Sequence, residues 1–477
     1  MLPSSTRPPS RCVPGDDLQE YLAAIVKQSQ IFCHSIFASI SYKTTFSDPL
    51  ALLEAENRPD SQHCYFEKCT DEFSIACGDN LISKHFHGNT RFQEAKLWAT
   101  EFLSSIAQAG DDPLAGTGPT LFLNASFEAE KSQKANSSLE IFLPKWQIVN
   151  QKGEHYAILN LEIKPTSKPE ELQKKLDTRL GQMIGLKFGA NAQVLNNKTV
   201  LESSQENYDY LAGVRKALEA IQGGRVSKIV LARQLTFDLN SSLSPFQIAH
   251  ALRDRFPDCH TFSLSAPQHG TWVGASPETL ARLRGNNLKT EALAGSAPRG
   301  PSAGKDALWG ETLLAREKEV REHQLVIESI RRRLSSIGTT DIKQGSPRLL
   351  RLANLQHVKT PVEGVIPDDL HPFEVLEALH PTPAMGGSPR SLALSKLAEI
   401  EGAPRGWYSG VAGWMDSRGR SEFIVPIRCG RILPDSLTLY AGAGIVKGSV
   451  PELEKNETDW KLQAMLEVIT GNPNLSF

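Results

Sequence analysis

Four glutamates fall in two pairs of identical spacing, Glu319 with Glu322 and Glu454 with Glu457. A separation of i, i+3 puts both carboxylates of a pair on one face of a helix. If the two faces meet, four acids converge, and such a cluster repels itself unless a hard cation sits within it. Mg²⁺ suits that role, because it is held by a few carboxylates while keeping waters and substrate oxygens. Lys461, one turn past Glu457, points the same way and would meet an anionic ligand. On solvated helix faces the same acids would only make intrahelical pairs worth about 0.2–0.5 kcal/mol each. The residues after Glu322, namely His323, Leu325, Val326 and Ile327, read instead as a buried face.

Lys228 enters a strand whose next residues, Ile229, Val230 and Leu231, form a run suited to burial on both faces. It is either an exposed edge charge or a lysine stripped of water, and an ammonium in a dry pocket gives up its proton readily enough to act as a general base. Glu278, in GASPETLARL, follows a tight turn between two apparent strands and is either a solvated loop acid or a member of the same site. Gly295 in LAGSAPRG, and Gly442 with Gly444 in YAGAGIVKGS, end apolar strands. They are turns, or places where backbone N–H groups approach an anion closely. No phosphate-binding or dinucleotide fingerprint occurs.

Positioning such residues needs a large scaffold, and 477 residues with 40% hydrophobic content supply one. Lys plus Arg total 52 against 54 Asp plus Glu, so no overall attraction to nucleic acid or anionic membrane is encoded; the partner expected is small. The seven cysteines, at 12, 33, 64, 69, 77, 259 and 429, include no CxxC pair and match no zinc spacing even beside His63. Free thiols in a reducing compartment, the cytoplasm, are expected. No apolar run reaches the roughly 18 residues of a membrane span. The Pro-, Ser- and Arg-rich opening, residues 1–17, reads as a disordered tail, or as a clipped transit peptide.

Hydrophobic periodicity predicts a helix from Leu18 to about Ile40, two short strands between Cys64 and Cys77, a helix from Arg91 to Ile106 and antiparallel strands to Ile163. A polar surface connection is expected from Lys164 to Glu206. Strands at 227–237, 260–266, 271–274 and 279–283 precede one long helix at 307–335; strands near 354–359, 408–415, 422–432 and 436–442 and a terminal helix at 452–469 follow. The interspersed order favours α+β.

The segments SKIVLAR, GASPETL, TEALAGSAPRG, EVREHQLV, LQHVKT, LHPTPAMGGSPR, RGWYSGVAGW, RCGRI, AGAGIVKGS and NETDWKLQAM stand in this order. In that order they resemble the chorismate-utilising enzymes, which include isochorismate, salicylate, anthranilate and aminodeoxychorismate synthases. The resemblance is close over 205–470, the expected chorismate-binding catalytic region, and loose over 18–204, the N-terminal half of the same fold. It implies one large α+β domain of two antiparallel sheets packed face to face with helices outside. It also implies Mg²⁺ on Glu322 and Glu457, with Glu319 and Glu454 behind metal-bound water. Contacts to the substrate carboxylates are implied for Lys461, Arg428, Tyr408 and the backbone of Gly442; Gly295 and Ser296 would line the ring pocket, with His357 nearby.

Lys228 matches the lysine of the water-adding members, so the resemblance implies water as nucleophile, Lys228 as general base and Glu278 as general acid: an isomerase moving a ring hydroxyl of chorismate. No segment resembles a glutaminase, so no glutaminase subunit is expected, and a monomer is. Ala384 stands where salicylate and anthranilate types resemble each other in having threonine, which implies release of isochorismate rather than salicylate. The product would serve a quinone, siderophore or salicylate pathway. A chorismate-binding protein without catalysis is the alternative of a different class.

Overall fold

The computed structural model describes residues 18–45, 48–56, 58, 61–110, 113–129, 138–185, 201–267 and 269–471. The expected tail over 1–17 lies outside them. A long antiparallel strand pair, Phe73–Phe86 with Leu139–Gln151, is the spine of the fold. Its ladder shifts register between Asn80 and Ile82, where Pro144 faces Asn80 and Asp79 has φ 56°. Proline removes a ladder donor and a bulge bends the strand, so the pair bends there, and pairing continues from its two strands in two directions.

One arm runs through Thr120–Ala125, Val411–Asp416, Ser421–Ile424, Thr279–Arg284, Asn287–Pro298 and Leu355–Val365. The other runs through His63–Lys68, His260–Ala266, Gly270–Ser276, Cys429–Ile432, Ser436–Val446 and Lys228–Leu239. The two antiparallel sheets implied by the resemblance are these arms, joined through the strand pair into one hydrogen-bonded network. Ile36–Thr44 against Ala107–Ala109 is a parallel pair at its margin. Phe66 and Phe262 of the second arm share a buried cluster with Leu123, Trp414 and Phe423 of the first, so the core lies between the arms. The second arm's other face is covered by helices Pro245–Arg255 and Pro451–Thr470, while helix Leu18–Phe32 packs on strand Glu154–Ile163.

Four expectations change. The strand expected over 422–432 is two, Ser421–Ile424 and Cys429–Ile432, interrupted where Arg428 takes a left-handed φ of 52°. The first helix ends at Phe32, because Cys33 takes a left-handed φ of 54°, and Ile36–Thr44 is a strand. The helix expected over 307–335 is two, Ala303–Ala315 and Glu317–Ser336, broken where Arg316 is extended. The connection over Lys164–Glu206 contains helix Pro169–Gly185 and strand Leu201–Glu206. Its polar composition hid a narrow apolar stripe, Leu172, Leu176 and Met183, which is enough to dock a helix opened by Pro169 and two acids. The Asn-rich stretch 191–197 lies outside the described residues. Among the described residues no helix is long and apolar enough to cross a membrane.

Candidate active site

The break at Arg316 lets helix Glu317–Ser336 lie along strand Asn287–Pro298 with Glu319, Glu322, His323, Val326, Ile327 and Ile330 buried. Helix Pro451–Thr470 likewise buries Glu454, Thr458 and Leu462 against strand Ser436–Val446. Glu319 and Glu454 fall in the first turn of their helices, where the positive end of the dipole favours carboxylates, and Glu322 and Glu457 lie one turn further in.

Between the two helices opens a cleft of about 640 Å³ including its mouth. Lys228, Glu278, Gly295, Ser296, Glu322 and His357 line it, as do Ala384, Tyr408, Arg428, Gly442, Glu457 and Lys461. Glu319 and Glu454 line an adjoining pocket that shares Ser296 and Glu457 with the cleft. The residues proposed from the sequence are thus brought together, though they come from strands and helices far apart in the chain.

Lys228 is 1% exposed, and its Nζ donates to Glu322 Oε1 at 2.8 Å. It is not an edge charge, because strand Ser436–Val446 pairs it with Val446 on one side and Ser388 pairs it on the other. Gly444 lies opposite Val230, and a Cβ there would stand 2.4 Å from Glu322 Oε1 and 3.0 Å from Lys228 Cε. Gly444→Ala is therefore expected to push this pair apart and lower kcat by on the order of 10²-fold. Because the obstructed atoms are side-chain ends, the melting temperature should hardly move; steady-state kinetics beside a thermal melt would check both.

Glu278 is 1% exposed, beside Thr382. Burial, then the charge of Glu291, pushes its carboxyl up to about 8, and its Oε2 has no hydrogen-bond partner. It is therefore protonated at neutral pH and able to donate. At the far wall, the bulge between Ala294 and Ser296 leaves Gly295 at φ 79°, its carbonyl 3.2 Å from His357 Nδ1. Burial drives His357 well below the usual histidine range, so it is neutral. Arg428 donates to its Nε2 at 2.6 Å, which leaves the ring proton on Nδ1. Arg428 has φ 52° and is fully enclosed; burial lowers its own pKa. A cation held this way next to Tyr408 and Lys461 favours an anionic ligand. Tyr408 stacks on Tyr440, and Lys461 Nζ donates to Gly442 O at 2.7 Å and to Glu457 at 2.6 Å.

The acid cluster shows its own repulsion. Burial and then Glu322 push Glu319 up to about 7, and burial and then Glu457 raise Glu454. Burial would raise Glu457 too, but Lys461 outweighs it and holds the carboxyl below its ordinary range. Lys318 bridges the pairs, 2.7 Å from Glu454 and 3.9 Å from Glu319. Among the described residues no three acid, histidine or cysteine groups already form a closed metal cage. Hard oxygen donors in the opening turns of two helices, repelling one another around shared lysines, nevertheless have the chemistry that Mg²⁺ requires.

Sequence reasoning missed several contributors. Leu293, Met385 and Tyr440 also line the cleft, and the strand and loop motifs carried them without marking them. Gly444 was noted only as a strand end. Arg405 is missed altogether: fully buried, it bonds Glu401, the carbonyls of Val230 and Met385, and Ser409, tying together three segments that line the cleft. Its i, i+4 spacing from Glu401 was the available signal.

Residues 22–470 match the family described as chorismate binding enzyme. The isochorismate synthase MenF of Bacillus subtilis (strain 168) is 32% identical over 469 residues, 95% of this chain and 97% of that protein. The salicylate biosynthesis isochorismate synthase of Pseudomonas aeruginosa is 39% identical over 269 residues, which is 56% of each chain. The structure of MenF, the menaquinone-specific isochorismate synthase of Escherichia coli, superposes with a TM-score of 0.75 at 25% identity over 91% of this chain and 94% of that one.

Proposed function

The chain belongs to the chorismate binding enzymes, and on that footing we propose that it is a Mg²⁺-dependent isochorismate synthase, an isomerase that exchanges the C4 hydroxyl of chorismate for one at C2. The observation that carries this reading is the burial of a lysine and a protonated carboxyl, Lys228 and Glu278, in one cleft with Arg428, Tyr408 and Lys461.

Lys228 takes a proton from the water that attacks C2, the ring double bonds shift, and Glu278 gives its proton to the C4 hydroxyl, which departs as water. One water enters and one leaves, so product and substrate are isomers. Glu322 orients the Lys228 side chain through its 2.8 Å contact. Arg428 and Lys461, with the Tyr408 hydroxyl, hold the substrate carboxylates. Glu322 and Glu457, with Glu319 and Glu454 behind them, are the groups that would hold Mg²⁺. When bound, the ion would anchor the ring carboxylate and offset charge that develops on it. General acid and base terms of roughly 10²–10⁴ each are in the range expected for these roles. Free thiols at Cys64, Cys69, Cys77, Cys259 and Cys429 suit a reducing compartment, for which we propose the cytoplasm.

Full-length protein incubated with chorismate and Mg²⁺, without an ammonia source, is expected to yield isochorismate on chromatography, and EDTA is expected to suppress it. Salicylate with pyruvate would overturn the assignment of product, and no turnover at all would leave a binding protein.

A further inference from the structure

Glu291 lies four residues before Gly295 on strand Asn287–Pro298 and does not line the cleft. It is 9% exposed, and both of its oxygens are engaged. Oε1 accepts the backbone N–H of Thr279, the residue after Glu278, at 2.8 Å. Oε2 is 2.5 Å from Lys359 Nζ, on the neighbouring strand Leu355–Val365, two residues beyond His357. A buried ion pair is weak evidence for stability, since replacing both partners by apolar groups of similar volume is often neutral. Its place here has a more specific consequence: it fixes the peptide that follows the acid and sets a second carboxylate behind it.

We propose that Glu291 is a positioning residue for Glu278, holding the acid's backbone through the Thr279 amide and placing a second carboxylate behind it, with Lys359 as its counter-ion. The charged groups facing Glu278 are Glu291, which raises it, and Lys228 and Lys359, which lower it. Lys228 is itself paired with Glu322. His260, bonded to the Thr279 hydroxyl, is held neutral by burial and adds no charge. Glu291 is engaged by a lysine and an amide N–H, whereas Glu278 has an orphaned oxygen and is pushed up by burial and then by Glu291. An environment that raises one acid in this way is how a site obtains a proton donor at neutral pH.

The inference rests on Glu278 being the general acid, and three variants separate the two questions. Glu291→Gln keeps an oxygen for the Thr279 N–H but removes the charge. The basic limb of its kcat–pH profile is expected about one pH unit lower than in the wild type, with KM within about twofold. A limb that stays in place while kcat falls equally at every pH would overturn the proposal, because it would describe a merely structural residue. Glu291→Asp keeps the charge and withdraws the acceptor, so its limb should stay while kcat falls several-fold. This variant also serves if the glutamine variant does not fold; wild-type kcat in it would sink the positioning role. Glu278→Gln is the control: if it retains turnover, the assignment of the acid fails, whereas its inactivity beside an unmoved limb in Glu291→Gln condemns only the role of Glu291.

Discussion

Lys228→Ala is expected to abolish the hydration of chorismate, with kcat down by roughly 10²–10⁴, while substrate still binds. The separation is expected because Lys228 touches Glu322, whereas the groups assigned to the substrate carboxylates, Arg428, Tyr408 and Lys461, stand on other elements of the cleft. Removing the side chain takes away the only amine at the start of strand Lys228–Leu239 and leaves a space that water fills, with no base to activate it. Equilibrium binding of chorismate, read by fluorescence or calorimetry, beside chromatographic turnover checks both halves. A near-normal rate would remove Lys228 as the base.

Glu278→Gln is expected to be comparably severe, and its pH behaviour carries more information than its rate. Because burial and Glu291 hold the wild-type carboxyl at about 8, the proton needed by the leaving hydroxyl is present through neutral pH. The wild-type rate should then fall about tenfold per pH unit above that value. Glutamine keeps the shape and cannot donate, so the residual rate should show no such limb. Stability gives a second sign. The folded-state value lies above the ordinary 4.5, so the folded chain binds the extra proton, and the stability this contributes is full below that ordinary value and is lost as pH rises toward about 8. The glutamine variant does not lose it. Thermal melts should therefore show wild type falling behind the variant between these pH values, and parallel curves would mean that Glu278 is ionised in the folded protein.

Much of the site was legible because its chemistry is written in local spacing. The i, i+3 glutamate pairs depend only on helix geometry, and both pairs do open buried helices. Lys228 ahead of an apolar strand was legible as a position, but not its fate: whether it is an edge charge or a buried amine depends on strand Ser436–Val446 and on Ser388 lying to either side of it. Gly444 was visible as a glycine and invisible as a necessity, since what it makes room for is Glu322, 122 positions away in the chain. The helix break at Arg316 was missed because periodicity continues on both sides of it while only the backbone turns.

By itself the sequence determined the inventory: an α+β chain with no fixed charge bias, two acid-bearing helices, a lysine at a strand entrance and an ordered set of motifs resembling chorismate-utilising enzymes. Secondary structure and chemical type follow from near neighbours, which a sequence displays directly. Tertiary structure alone decided which acid is protonated, which histidine is neutral and which cation faces the ligand. Those properties are set by burial and by charges brought in from remote strands, as Glu291 and Lys228 are brought to Glu278. The strand pair Phe73–Phe86 with Leu139–Gln151, which shifts register at Asn80 and Pro144, joins the two arms that carry these groups.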